Sequence, residues 1–299
     1  INTKTKLFCR CSNTFFNAEP NSHVCPICMG FPGMLPVTNG EAVKKGIKAA
    51  LALGCAIPEF SKFDRKSYFY PDLVKGFQIS QYDKPVSVQG KVTIALVDGA
   101  EKSITIHRLH LEDDAGKLTH AGGSTFVDFN RCGSPLMEIV SGPDLRSVEE
   151  ASLYAREIQK ILRAVDASDA DMEKGQMRFD INVSLRPKGQ EKFGVRAEVK
   201  NLNSFKSLEK ALEYEIKRQT ELLQKGGKVV QETRGWDDEK EITISQRSKE
   251  EAADYRYFPE PDIPPLVVTR EMVEELKKEL PELPQAKAER YQKGFELEV

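Results

Sequence analysis

The chain has 299 residues, of which 39% are hydrophobic and 30% are charged, so it can form a hydrophobic core in one large or two ordinary domains. The net charge of −2 disfavours broad, non-specific binding to nucleic acid, and no stretch approaches the roughly 20 apolar residues of a membrane span. With no signal-peptide pattern either, the sequence predicts a cytoplasmic protein. Because the chain begins at Ile1 and its last segment, 294–299, has no closing element, we expect further protein at both ends.

Four of the six cysteines lie within twenty residues near the start of the chain: Cys9, Cys11, Cys25 and Cys28. Two close pairs separated by about a dozen residues are typical of a tetrahedral four-thiolate zinc site, whereas disulfide bonds are disfavoured in a cytoplasmic protein. We predict a structural zinc knuckle over residues 9–28, with His23 as a spare candidate ligand. Cys55 and Cys132 are predicted to be small buried side chains.

The first predicted helix begins at a capping box that runs from Thr38 to Glu41 and ends near Gly54. Next, the segment 62–72 mixes lysine and arginine with four aromatic residues, and the strand pattern 76–83 follows. Such a mixture can hold a phosphate or stack on a base, but the residue types alone favour a sheet with a solvated polar edge.

An Asp-Gly turn signal joins two strand patterns, 92–97 and 103–111, into a predicted hairpin. Its alternation places His110 and Glu112 on one face.

Carboxylates cluster at 112–114, and Glu138 lies in an otherwise apolar run at 136–140. An ionised carboxylate on a half-buried strand is costly without a partner, and carboxylates beside water are how Mg²⁺ is usually held near phosphates. A solvated acidic turn and one edge-strand glutamate explain the same residues, so the residues leave both interpretations open.

A second capping box at Ser147 opens a helix. Two strands, 177–186 and 195–200, are then predicted to pair antiparallel, with one apolar face that includes Val195. Their opposite face is densely charged, and its residues include Arg178, Asp180, Asn182, Arg196, Glu198 and Lys200. A solvated sheet face is the default interpretation, and the floor of a nucleotide site is the alternative.

The remaining pattern predicts a long helix at 205–225 and two short strands at 229–234 and 241–247. The proline-rich segment 254–265 cannot be helical, so we expect a strap across the surface or a domain boundary. A polar helical segment begins at 269.

Eight segments, in order along the chain, resemble the GatB/GatE family, the B subunits of the aspartyl/glutamyl-tRNA amidotransferases. They are KFDRKSYFYPD at 62–72, QISQYD at 78–83, RLHLEDDAG at 108–116, PLMEIV at 135–140, RFDINVSLRP at 178–187, KNLNS at 200–204, ETR at 232–234 and DYRYFPEPD at 254–262. So many long motifs in one order make the resemblance specific.

The resemblance implies a ligase that corrects misacylated tRNA, converting Glu-tRNA(Gln) to Gln-tRNA(Gln), Asp-tRNA(Asn) to Asn-tRNA(Asn), or both. In this family, ATP and Mg²⁺ serve to phosphorylate the side-chain carboxylate of the tRNA-bound amino acid. A glutaminase (amidase) subunit, GatA, supplies ammonia through a polar tunnel, and a small subunit, GatC, clamps the heterotrimer.

The resemblance also implies the fold class: an α+β protein whose antiparallel-sheet cradle is similar to the catalytic fold of glutamine synthetase. Residues 1–265 would form this cradle together with the zinc knuckle, a feature of some family members. Residues 266–299 would begin a C-terminal helical domain.

Carried over residue by residue, the resemblance assigns Glu112 and Glu138 to Mg²⁺. Asp180 is a third catalytic candidate on the charged strand face, from which phosphates can be contacted by Arg178, Arg196 and Lys200. Lys66 and Lys75 match polar positions of the ammonia tunnel or the active-site mouth.

Two family features are absent from this sequence: an initial Gly-Leu-Glu-x-His strand that supplies metal ligands and a C-terminal tail that grips tRNA. We therefore expect an incomplete metal site and weak tRNA binding by this chain alone. The alternative hypothesis is a non-catalytic, zinc-containing scaffold subunit that only presents tRNA, and ATP use separates the two.

Overall fold

Five helices and fourteen strands form within residues 1–248 and 254–295, the parts of the chain that the computed structural model describes. The helices are α1 (Gly40–Ala52), α2 (Val148–Ala164), α3 (Phe205–Gln224), α4 (Arg270–Lys278) and α5 (Pro284–Phe295). The strands are β1 (Phe60–Ser61), β2 (Asp64–Ser67), β3 (Phe77–Ser80), β4 (Ser87–Ala95), β5 (Glu101–Asp113), β6 (Lys117–Ala121), β7 (Ser124–Asp128), β8 (Pro135–Ser141), β9 (Phe179–Val183), β10 (Ala197–Leu202), β11 (Glu232–Asp237), β12 (Ile242–Ser248), β13 (Phe258–Pro259) and β14 (Leu266–Val267). The predicted α+β class is confirmed, and none of the described helices combines the length and apolar character needed to cross a membrane.

The main core lies between helices α1 and α2 and a three-stranded antiparallel sheet in the order β4-β5-β8. The predicted hairpin is confirmed as β4 and β5, and its turn contains Gly99 at a φ of +82°, where glycine is favoured. Four apolar side chains of β5 are fully buried: Ile104, Ile106, Leu109 and Leu111. The central strand of the sheet is therefore also the centre of the core.

The caps of the first two helices differ in how well they were predicted. The prediction of Thr38 as the cap of α1 is wrong by one residue, because Asn39 accepts two backbone N–H groups of the first turn. The Asn39 amide group also donates to the backbone carbonyl of Thr5, at 3.1 Å, and it thereby ties the N-terminal segment to α1. The Ser147 cap of α2 is confirmed, since its hydroxyl accepts the backbone N–H of Glu150 at 3.1 Å.

A second sheet has the order β12-β11-β10-β9, and helix α3 contacts it. The predicted antiparallel pair is confirmed as β9 and β10, but β9 is shorter than the predicted range 177–186. Val195 was wrongly placed in the core: it is 49% exposed, because β10 begins only at Ala197. The strands predicted at 229–234 and 241–247 form as β11 and β12, each beginning one to three residues later.

One strand pair departs from the predicted antiparallel cradle: β10 and β11 run parallel. The long helix α3 connects them, and a crossover of this kind returns the chain to the same end of the sheet. The second sheet is therefore mixed.

The proline-rich segment 254–265 returns to the first part of the chain as an extended strap. Within and after it, β13 pairs with β2 and β14 pairs with β1. Arg65 of β2 donates two hydrogen bonds, of 2.7 and 2.9 Å, to the carboxylate of Glu260. Beyond the strap, the helical segment predicted from 269 forms as α4, which Thr269 caps, and Leu276 of α4 is buried in the main core.

Candidate active site

A β-bulge in β5 controls which of its side chains reach the site. Against β8, Ile106 pairs with Ser141 and Arg108 pairs with Val140, so His107 is an extra residue. The alternation changes phase there, because even-numbered residues are in the core before the bulge and odd-numbered residues are in the core after it. The residues on the face away from the main core are then Arg108, His110 and Glu112.

Two glutamates and one histidine converge on this face, and we call them the acid cluster: His110, Glu112 and Glu138. The strand register places His110 directly opposite Glu138. The His110 Nε2 atom lies 3.6 Å from the Glu112 carboxylate and 3.5 Å from the Glu138 carboxylate. The structure thus brings the two predicted acids together and adds His110, whose i, i+2 spacing from Glu112 was the signal for it in the sequence.

The two carboxylates of the acid cluster differ in environment. The Glu112 side chain is 6% exposed and the Glu138 side chain is 51% exposed. Burial raises the pKa of Glu112, but His110, the charge of Lys66 and a 2.9 Å hydrogen bond from Ser80 lower it to about 2. One ionised, sheltered carboxylate therefore lies beside one that faces solvent.

This donor set fits a divalent cation. One ligand atom from each of the three residues lies within 4.8 Å of the other two. Carboxylate oxygens suit Mg²⁺, and an imidazole nitrogen also suits Mn²⁺, Fe²⁺ and Zn²⁺. Asp180 is not part of this cluster.

The predicted phosphate-binding residues lie on the β9–β10 hairpin. The Lys200 Nζ atom is 3.5 Å from Asp180 and 3.5 Å from Glu198. Burial lowers the pKa of Lys200, but the charges of these two carboxylates raise it above its usual range. Arg178 and Arg196 are exposed. The structure therefore unites Asp180 with Lys200 and leaves the two arginines open to solvent.

The strap carries Tyr255 and Tyr257 to the acid cluster. The Tyr255 ring centroid lies 5.7 Å from that of Tyr68, and the Lys66 ammonium group lies 5.0 Å from the Tyr255 centroid. Tyr257 stacks on Tyr82 with a centroid distance of 4.3 Å. Burial raises the pKa of Tyr257, and both carboxylates of the acid cluster raise it further. These tyrosines were not among the predicted site residues, because the sequence of an extended segment does not indicate what it packs against.

The two predicted tunnel lysines occupy different surroundings. Lys66 lies near the acid cluster, where its charge lowers the pKa of Glu112. Lys75 forms an ion pair with Asp113, and their side chains are only 9% and 3% exposed. This ion pair lines a cavity of about 220 Å³, which is also lined by two of the four predicted zinc ligands and by Arg65.

The four sulfur atoms of the predicted zinc knuckle lie within 4.8 Å of one another. The fully buried Lys6 ammonium group lies 3.7 Å from the Cys28 sulfur and donates a 2.7 Å hydrogen bond to the backbone carbonyl of His23. The backbone of His23 therefore helps to hold Lys6 in place, and the His23 side chain is not part of the sulfur cluster. Cys55 and Cys132 are buried as predicted.

Comparison with known proteins identifies the family of this chain. Residues 1–274 match the family described as the GatB/GatE catalytic domain. The chain belongs to this family. The match to GatB/GatE proteins extends through β14 and into α4.

Curated relatives of the GatB/GatE type are named as the B subunit of aspartyl/glutamyl-tRNA(Asn/Gln) amidotransferase. The relative from Persephonella marina is 56% identical over 297 residues, and that from Carboxydothermus hydrogenoformans is 55% identical over 302 residues. The relative from Brevibacillus brevis is 54% identical over 299 residues. Each alignment covers 99% of this chain and 62% of the relative, so the chain spans less than two thirds of the length of these proteins.

Proposed function

We propose that this chain carries the kinase and transamidase site of an ATP-dependent aminoacyl-tRNA amidotransferase, a ligase. Its substrates are Glu-tRNA(Gln), Asp-tRNA(Asn) or both. The observation that carries the proposal is the convergence of His110, Glu112 and Glu138 in a chain of the GatB/GatE catalytic-domain family. The name of the curated relatives supports the same substrate class.

The chemistry requires activation because a carboxylate is a poor electrophile. A side-chain carboxylate oxygen of the tRNA-bound amino acid attacks the terminal phosphorus of ATP, and ADP leaves. Ammonia then attacks the carbonyl carbon of the acyl phosphate, loses a proton, and inorganic phosphate leaves with the C–O bonding electrons. The protein must position these groups and neutralise the charge of the transferring phosphoryl group.

Within this scheme, Glu112 and Glu138 hold Mg²⁺ with His110 as a third ligand. Bound Mg²⁺ supplies neutralising charge to the phosphate oxygens. Lys200, Arg178 and Arg196 bind phosphate from the β9–β10 hairpin. Asp180 orients Lys200 at 3.5 Å, which is the role that its position supports.

Lys66 and Lys75 serve the path of ammonia from a glutaminase partner of the GatA type, in a heterotrimer clamped by a GatC-type subunit. The cavity lined by the Lys75–Asp113 ion pair supports a polar passage on this side of the chain. Lys66 lies closer to the acid cluster and marks the mouth of the site. The small volume of the cavity, about 220 Å³, suits ammonia or water rather than a nucleotide.

We also propose that the four cysteines bind Zn²⁺ in a structural role, because four thiolates close the coordination shell. Four thiolates and Zn²⁺ carry a net charge of −2, and the buried Lys6 ammonium group next to Cys28 supports this assignment by compensating part of that charge.

We also propose a glutamine-synthetase-like cradle over residues 1–265 and a helical domain that begins at 266. Residues 296–299 of that second range lie outside the described residues.

The test uses the full-length subunit with its partner subunits, misacylated tRNA, glutamine and ATP with Mg²⁺. ADP and amidated aminoacyl-tRNA are measured together in wild type, Glu138→Gln and the exposed control Glu101→Gln. We expect both products to be lost in Glu138→Gln alone, while the glutaminase activity of the partner remains. Binding of tRNA by the wild type with neither product would reject the proposal and favour the non-catalytic zinc-containing scaffold.

A further inference from the structure

Arg108 lies two residues before His110 in β5, on the face that carries the acid cluster. Its direct partner across the sheet in β8 is the apolar Val140, and the β8 carboxylate, Glu138, stands opposite His110 instead. Its side chain is half-buried. The β-bulge at His107 directly precedes Arg108 and sets the direction of its side chain.

Within the described parts of the chain, Arg108 makes no ion pair with a carboxylate, and its buried Nε atom has no hydrogen-bond partner. Other sheltered arginines do have such partners, since Arg65 lies 2.7 Å from Glu260 and Arg234 lies 3.1 Å from Glu215. A buried guanidinium N–H group without an acceptor is costly. Arg108 therefore has the properties of an anion-binding group.

The surroundings of Arg108 limit which anion it can bind. The charges of Glu112 and Glu138 raise the pKa of Tyr257, whereas the charge of Arg108 lowers it. All three charges therefore lie near this phenol. An anion that contacts Arg108 would lie on the strand face that also carries the acid cluster, where a bound cation could share it. A phosphate group has enough free oxygen atoms and negative charge to engage both, whereas one carboxylate has two oxygens and a single charge.

We propose that Arg108 binds a phosphate group of a nucleoside triphosphate beside the acid cluster. This inference rests on the proposed function, which brings ATP to the same site. It assigns to β5 a phosphate-binding residue in addition to those on the β9–β10 hairpin.

The experiment titrates the full-length subunit, in its complex with the partner subunits, with ATP and Mg²⁺ at equilibrium. Loss of a charge-assisted hydrogen bond should weaken ATP binding by at least about tenfold in Arg108→Gln. Arg108→Lys keeps the charge but not the planar fork, so its loss of ATP affinity should be intermediate. This variant is compared with the wild type if Arg108→Gln does not fold. Lys91→Gln removes one positive charge from an exposed position on β4 and should bind ATP as the wild type does.

The outcomes separate this inference from the proposed function. Equal ATP affinity in wild type and Arg108→Gln overturns the inference. This holds even if the variant has a raised KM for aminoacyl-tRNA, because Arg108 would then act on the tRNA substrate and not on ATP. A wild type that binds no ATP overturns the proposed function, and the titration is then repeated with inorganic pyrophosphate. Weaker pyrophosphate binding by Arg108→Gln supports the Arg108 site, and equal or absent binding in both proteins overturns it.

Discussion

His110 stands directly opposite Glu138 across the β5–β8 pair, and its Nε2 atom lies 3.5 Å from that carboxylate. The same nitrogen lies 3.6 Å from Glu112, which comes from its own strand. A single imidazole therefore links a sheltered acid with an exposed one. The backbone register of two paired strands holds this geometry, so it does not depend on a loop.

If His110 is a metal ligand, His110→Ala should weaken divalent-cation binding by at least about tenfold. Titration of the full-length protein with Mn²⁺, followed by electron paramagnetic resonance, measures this directly. His120→Ala is the matched control, because His120 lies on β6 and is exposed. Equal Mn²⁺ affinity in wild type and His110→Ala would remove His110 from the site.

Lys6→Met should weaken zinc binding by about tenfold or more, because it removes the buried positive charge that lies 3.7 Å from the Cys28 sulfur. Competition with a chromophoric chelator gives the affinity, and Lys4→Met at an exposed neighbouring position is the control. Removing zinc from the wild type should lower its Tm as well. If Lys6→Met competes with the chelator for zinc as well as the wild type does, Lys6 does not compensate the charge of the zinc site.

Glu215 of α3 is fully buried between Arg234, at 3.1 Å, and Arg218, at 2.9 Å. Burial raises the pKa of Glu215, but hydrogen bonds from Arg218, Thr243 and Gln219 outweigh this effect and lower it below 4.5. The ionised Glu215 carboxylate therefore stabilises the fold above about pH 4.5, the ordinary pKa of this side chain. This contribution is lost as the pH falls through the lowered pKa of Glu215 in the folded state.

Glu215→Gln should accordingly reduce the free energy of unfolding by about 2 kcal/mol at neutral pH, since it removes one of the two carboxylates that pair with Arg218 and Arg234 and leaves Glu232 as their remaining partner. The difference from wild type should shrink below pH 4.5. Urea unfolding at several pH values measures both effects, with the exposed Glu213→Gln on the same helix as the control. A difference that stays constant with pH would mean that the charge of Glu215 does not stabilise the fold.

Gly90 of β4 has no room for a side chain. A Cβ atom there would lie 2.3 Å from the Cys55 sulfur and 2.7 Å from the backbone carbonyl oxygen of Leu53. Gly90→Ala should therefore lower the free energy of unfolding by about 1–3 kcal/mol.

Gly40→Ala provides the control in the same unfolding experiment. Gly40 begins helix α1, and a Cβ atom added there would meet no other atom within 4 Å. The stability of this variant should stay within about 0.5 kcal/mol of wild type. Equal stability of the two variants would show that the sheet relaxes around position 90 at no cost.

Local patterns predicted the parts of this fold that depend on near neighbours. Cysteine spacing predicted the sulfur cluster, the Ser147 motif predicted a helix cap, and alternation predicted that His110 and Glu112 share a face. In each case the decisive contacts lie within one short stretch of the sequence, the longest being that from Cys9 to Cys28. The cap of α1 was missed by one residue because Asn39 also binds Thr5, which lies 34 positions away.

The remaining features depend on contacts between distant segments. The bulge at His107 shows within β5 only as a change of phase between Ile106 and Leu109, and the pairing with β8 is what defines it. The parallel pairing of β10 and β11 follows from the path of α3, and the position of Tyr255 and Tyr257 follows from strand pairing by the strap. Alternation predicts faces, whereas tertiary pairing decides which faces meet.

The strap also determines when the surroundings of the acid cluster are completed during synthesis. Arg65 and its partner Glu260 are 195 residues apart in the sequence, so the contact that anchors the strap forms only after most of the chain has left the ribosome. Glu112 and Glu138 emerge much earlier than Tyr255 and Tyr257. We therefore expect a nascent chain to present its acidic residues without these two tyrosines until the strap has paired with β2, so that an unfinished domain lacks a complete site.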